Sequence, residues 1–175
     1  MIKILKGDIL KMTDKFDVIV HGCNCFKTMG AGIALSIKTK FPEAFECDKD
    51  FNTNTPDLRL GKISYTKTSI PIIVNAYTQY GYKRKAGEVL ADYDAIRSSM
   101  IEIKKQFSGK KIGMPKIGAG LAGGDWEIIE DIIVTELQNE DVTIVIYDDK
   151  KLLLNLNTSN NKRLDDLLLD FTKNE

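Results

Sequence analysis

The chain has 175 residues, 43% of them apolar and 29% charged, with 25 Lys plus Arg against 25 Asp plus Glu. That length fits one domain whose core needs no disulfide staples, and the ordinary composition excludes a collagen-like, low-complexity or wholly disordered chain. A net charge of zero speaks against a dedicated duplex-DNA binder.

In chain order, Ile2, Ile4 and Leu5 predict a short opening strand ended by Gly7-Asp8. Phe16–Val20 is a compact apolar run, a buried strand, that delivers the chain to His21-Gly22-Cys23-Asn24-Cys25 just beyond it. A turn at Met29-Gly30-Ala31-Gly32 then opens a helix marked by Ile33, Ile37 and Phe41, which Pro42 breaks or restarts. Residues 48–60 lack periodicity and are expected to form an exposed loop. Strands follow near Lys62–Lys67 and Ile70–Tyr77, then a loop of tyrosines and cations from Gln79 to Gly87. Val89, Tyr93, Ile96, Met100 and Phe107 mark one face of a long helix. A strand near Lys111–Met114 leads to Gly118-Ala119-Gly120-Leu121-Ala122-Gly123-Gly124, a helix carried by Trp126, Ile129, Ile133 and Leu137, and a strand at Val142–Tyr147. Interleaved strands and helices predict an α/β fold, a three-layer α/β/α sandwich with a central mixed sheet. The domain spans residues 1–149. Residues 150–175 are expected to form an Asn-rich linker and an amphipathic helix carried by Leu164, Leu167, Leu168 and Phe171.

Two glycine-rich turns, each between a strand and a helix, are the chemical signal. Glycine lets backbone approach a ligand closely, and a helix N-terminus offers unpaired N–H groups to an anion. Two such turns at neighbouring strand ends could hold a diphosphate between them. Gly118-x-Gly120-x-x-Gly123 matches the dinucleotide fingerprint literally, but only one strand follows it, so the second half of a Rossmann site is missing. No Walker-type phosphate loop occurs. With one histidine, His21, and cysteines at 23, 25 and 47, no zinc ligand set assembles; neither a metal nor a cofactor is expected. His21 suits proton transfer at neutral pH, and Asn24 can orient sugar hydroxyls as donor and acceptor. Packing against the core is the alternative for His21, Cys23 and Cys25. Without a signal-peptide h-region or a long apolar run, a soluble cytoplasmic protein with no membrane partner is expected.

Taken together, Gly7-Asp8-Ile9, Asn24, Gly30-Ala31-Gly32-Ile33-Ala34 and Gly118–Gly123 resemble the macrodomain family, α/β/α modules that bind ADP-ribose. The resemblance implies that Asp8 accepts from the adenine amino group and Ile9 lines the adenine pocket. It implies that Gly30, Ala31, Gly32 and Ile33 cradle the pyrophosphate together with Gly118, Ala119, Gly120, Leu121, Ala122 and Gly123, and that Asn24 holds the distal ribose. Tyr147, at the end of the last core strand, would pack near the adenine or in the core.

The segment His21–Cys25 followed by Met29–Ala34 is most similar to the branch that dephosphorylates ADP-ribose-1''-phosphate, in which a histidine at this place is implicated in catalysis. On that reading the partner is a small-molecule ADP-ribose derivative, or a nucleic acid only if it is itself ADP-ribosylated. His21 would act as acid, base or nucleophile beside Asn24, and Asp92 would position the water, unless Asp92 merely favours the helix dipole. Lys83, Arg84 and Lys85 would attract the anionic substrate or form a solvated loop. Asp125 is read as an N-cap. The alternatives are a hydrolase that removes ADP-ribose from protein or DNA, with Lys83 and Lys85 in the relevant loop, and a non-catalytic ADP-ribose-binding module.

Overall fold

The computed structural model describes residues 2–148. The expected linker and helix over 150–175 lie outside the described residues. β1 (Lys3–Lys6), β2 (Val18–Asn24), β3 (Ile63–Tyr65), β4 (Ile72–Gln79), β5 (Lys111–Met114) and β6 (Asp141–Ile146) form one sheet in the order β1-β6-β5-β2-β4-β3. All neighbours pair parallel except β3, which runs antiparallel to β4. The expected mixed sheet is therefore present, with the one antiparallel strand at an edge.

Helices α1 (Gly32–Lys40) and α2 (Pro42–Asp50) cover one face; α3 (Tyr93–Phe107) and α4 (Trp126–Glu136) cover the other. Alternation along β2 feeds both cores, as period-2 side chains must. Val18 and Val20 pack with Ile96, Met100 and Ile129, while Ile19 and Cys23 pack with Ile37 and Ala44. Buried on both faces, the central strands read as nearly continuous apolar runs.

Three boundaries differ from those the sequence predicts. β2 continues through His21 to Asn24 because pairing with β4 persists that far, Cys23 with Tyr77 and Asn24 with Gln79 across a bulge. α3 starts at Tyr93, where the Asp92 carboxylate caps Ala95 N at 2.9 Å, so Val89 lies outside the helix and is exposed. Residues 48–60 are no exposed loop: α2 runs to Asp50, a 3-10 turn spans Pro56–Arg59, and Asp48 and Arg59 are buried. Pro42 does restart a helix, as expected, standing at the start of α2. No helix among the described residues is long and apolar enough to cross a membrane.

Candidate functional site

The parallel strands end on one edge of the sheet, and four of the expected sites line up along it. In strand order they are Asp8 after β1, Tyr147 after β6, the Gly118–Gly123 turn after β5, and Asn24 at the end of β2. Beside them α1 begins at Gly32, with Ala31 in extended backbone as its N-cap and no side chain capping it. The first amides of a helix lacking such a cap are available to an external acceptor.

A cleft of about 530 Å³ lies between the two glycine turns. Gly30, Ala31, Gly32 and Ile33 form one wall, and Gly118, Gly120, Leu121 and Ala122 the other, with Asn24, Thr28 and Gln79 at the β2 end. Gly118 has φ +73°, and a Cβ there would meet Ile129 Cδ1 at 3.0 Å and Ile96 Cδ1 at 3.2 Å. The second turn thus needs glycine both for its backbone conformation and for its seat on the α3–α4 core. Gly32, at φ +56°, faces Leu121 across the cleft, where a Cβ on Gly32 would lie 3.2 Å from Leu121 Cδ1. Ala119 and Gly123 belong to the same turn as Gly118 but do not line the cleft.

Asn24 spends its amide on its own loop: Nδ2 donates to Thr28 Oγ1 at 2.7 Å, and Oδ1 accepts from Phe26 N at 2.8 Å. That pair of bonds fixes the entry to the first glycine turn. Asp8 caps a short 3-10 turn through Leu10 N at 3.0 Å and lies 3.8 Å from Lys11 Nζ. Neither Asp8, Ile9 nor Tyr147 lines the cleft; Ile9 is buried in the α1–α2 core, and Tyr147 is exposed beyond β6.

Of the three residues expected in catalysis, Asn24 lines the cleft, while His21 and Asp92 do not. His21 is fully buried: β2 places it between Ile19 and Cys23, two residues of the core beneath α1 and α2. Its Nε2 lies 2.7 Å from Asn75 Oδ1. Burial pushes the ring pKa down to about 4, against the hydrogen bonds to Asn75 and the Gly22 backbone. Asp92 caps α3, which is the helix-start alternative for it, and Asp125 caps α4 through Glu127 N at 2.9 Å. Lys83 and Lys85 are exposed and do not line the cleft, whereas the Arg84 guanidinium lies over Gly123.

The structure adds two charged groups that sequence reasoning misses. Lys116 is the only lysine or arginine of the cleft wall among the described residues, its ammonium 4.9 Å from the Trp126 ring centre. Its place directly before Ile117-Gly118 is the signal that could have found it. Asp48 is the only carboxylate of that wall among the described residues. It pairs with Arg59 at 3.0 Å, both side chains 1% exposed, and no sequence pattern announces that pair. No group of three or more His, Cys, Asp or Glu side chains that could hold a metal ion occurs among the described residues.

Residues 20–133 match the family model of the Macro domain, and these include both glycine turns and the whole cleft wall. The chain belongs to the macrodomain family. This macrodomain is 35% identical over 157 residues to an uncharacterized 17.5 kDa protein of Enterobacteria phage T4, covering 85% of this chain and 97% of that one. It is 27% identical over 183 residues to the ADP-ribose 1''-phosphate phosphatase of Debaryomyces hansenii, covering 85% of this chain and 100% of that one. It is also 30% identical over 152 residues to the DNA ADP-ribosyl glycohydrolase of Mycobacterium tuberculosis, covering 84% of this macrodomain but 42% of the relative.

Proposed function

We propose that this macrodomain binds ADP-ribose along the carboxyl edge of its sheet and hydrolyses ADP-ribose-1''-phosphate to ADP-ribose and phosphate. The observation that carries the binding is the convergence of both glycine turns and the α1 N-terminus on one cleft. Backbone N–H groups and a helix dipole favour an anion there, and Lys116 adds a cation. A diphosphate seated between the turns lays the adenosine toward Asp8 and Tyr147 and the second ribose toward Asn24, following the strand order β1-β6-β5-β2. The phosphate at C1'' then lies at the β2 end, beside Asn24, Thr28 and Asp48.

Phosphate-ester hydrolysis is supported by the relatives of matching length that bear the phosphatase name. A second reading, release of ADP-ribose from DNA, is supported by the glycohydrolase relative. We assign the activity to the cytoplasm, a reducing compartment that suits the three free cysteines.

The test is calorimetric binding of ADP-ribose with phosphate release from ADP-ribose-1''-phosphate, run beside release of ADP-ribose from ADP-ribosylated DNA and protein. Binding with phosphate release supports the phosphatase. Binding with release of ADP-ribose from a macromolecule transfers the activity to the second reading, and binding alone makes the domain a reader. A protein that binds no ADP-ribose sinks all three.

A further inference from the structure

Among the described residues, the cleft wall carries one charge without a counter-charge. Asp48 is sealed against Arg59, both side chains 1% exposed. The cations near the two glycine turns are mostly engaged elsewhere. Lys27, before the first turn, donates to Lys49 O at 2.6 Å and to Asn52 Oδ1 at 3.2 Å. Arg84 lies over Gly123 and donates through Nε to Glu88 O. Lys116 differs from all of these. It is exposed, it lines the cleft, and its ammonium makes no ion pair or hydrogen bond among the described residues. What it touches is the face of Trp126, 4.9 Å from the ring centre.

Lys116 and Trp126 stand at the two ends of one loop. Ala119 N donates to Lys116 O at 3.4 Å where the loop opens, and Gly124 N donates to Gly118 O at 2.8 Å where it closes. Trp126 follows directly as the first residue of α4. Between these ends the amides of Gly118, Gly120, Leu121 and Ala122, all residues of the cleft wall, donate to no group among the described residues. Open amides around a concave turn favour an anion. A lysine ammonium on its flexible stem is a mobile point charge. On an exposed ring face it is held only weakly, whereas a phosphate oxygen accepts a charge-assisted hydrogen bond from it. Of the two partners the phosphate is the stronger.

We propose that Lys116 is the residue through which the cleft recognises the charge of its ligand. On binding, its ammonium leaves the Trp126 ring and donates to the diphosphate seated between the two glycine turns. The indole is the resting place that keeps this cation at the start of the second turn until the ligand arrives. Lys116 thereby selects a ligand whose two sugars are joined by a charged linkage over an uncharged one of similar outline. This inference rests on the ADP-ribose reading, and it holds whichever bond at C1'' is cleaved. The competing role for the pair is a staple, in which the stem of Lys116 on the indole only closes the loop. The two roles differ in their response to salt, because a staple transmits no charge to the ligand.

The test uses the full chain with ADP-ribose as the ligand, following affinity by calorimetry and the emission of Trp126, the only tryptophan of the chain. Lys116→Met keeps an unbranched stem and removes the charge. It should weaken ADP-ribose binding about tenfold or more and flatten the salt dependence of Kd. Lys116→Arg, which restores the charge, should hold affinity within about threefold of wild type. ADP-ribose should change the Trp126 emission of wild type, and Lys116→Met without ligand should already emit like the ligand-bound wild type. An affinity within about threefold of wild type in Lys116→Met overturns the proposal. So does a loss of affinity at unchanged salt dependence, which assigns Lys116 to the staple, and so does a Lys116→Arg protein as weak as Lys116→Met. Wild-type emission that stays constant through saturation overturns the departure from the ring. A wild-type protein that binds no ADP-ribose fails at the earlier step and overturns the ADP-ribose reading, and this one with it.

Discussion

Nε2 of His21 lies 2.7 Å from Oδ1 of Asn75, its register partner on β4, and both side chains are sealed from solvent. The contact holds the central strand pair together through side chains beneath the cleft, and it sets the protonation of the histidine. Burial lowers the ring pKa from 6.5 to about 4. In the unfolded chain the ring gains its proton near pH 6.5, while in the folded protein it does so only near pH 4. Stability from this residue is therefore fully present above pH 6.5 and is lost as pH falls toward 4. The shift is worth about 3 kcal/mol at 1.4 kcal/mol per unit. Urea unfolding of wild type and His21→Gln at pH 7 and pH 4 should show a pH dependence smaller in the variant by about that amount. Equal pH dependence would contradict the buried neutral ring.

The two capping carboxylates separate stability from chemistry. Asp92 caps Ala95 N and Asp125 caps Glu127 N, each at 2.9 Å. Asp92→Ala and Asp125→Ala should each cost about 1 kcal/mol, or about 2–4 °C in Tm, and leave kcat on ADP-ribose-1''-phosphate within twofold. A large fall in kcat from Asp92→Ala at unchanged Tm would restore a catalytic part for that residue.

Arg59 and Asp48 form a buried pair, so removing one partner strands the other's charge. Arg59→Met should cost about 3–5 kcal/mol, and Asp48→Leu combined with Arg59→Met should recover most of it. Chemical denaturation of the two variants checks this. A double variant no more stable than the single would show that Arg59 stabilises chiefly through its other contacts, the Cys25 carbonyl and the Tyr77 ring 4.3 Å away.

Gly118 offers a test of the second turn. At φ +73° an alanine is strained, and its methyl would press on Ile129 and Ile96. Gly118→Ala should cost about 1–3 kcal/mol and weaken ADP-ribose binding tenfold or more, measured by calorimetry on protein shown to be folded by its near-UV spectrum. Unchanged affinity would remove this turn from the binding site.

Much of the site is legible along the chain because its parts are local. A glycine turn between a strand and a helix is written in adjacent residues, as at Gly30–Gly32 and Gly118–Gly123, and Asp125 before Trp126 reads as a cap without tertiary information. The features that local patterns miss depend on pairing. The apolar run of β2 stops at Val20; the strand's continuation to Asn24 depends on β4 lying alongside, and that extension assigns His21 to the face under α2. Asp48 and Arg59 stand 11 residues apart in a segment without periodicity, and they pair directly in the fold, where the Tyr77 hydroxyl of β4 bonds to both.

By itself, then, the sequence determined the α/β alternation, the two glycine turns and the Asp125 helix cap. Each rests on backbone conformations and short-range hydrogen bonds that neighbouring residues decide among themselves. Tertiary structure decided which ionisable groups reach the cleft and which are withdrawn into the interior. That choice depends on strand length, register and burial: β2 pairs His21 with Asn75 of β4 in the interior, and the imidazole is sealed there.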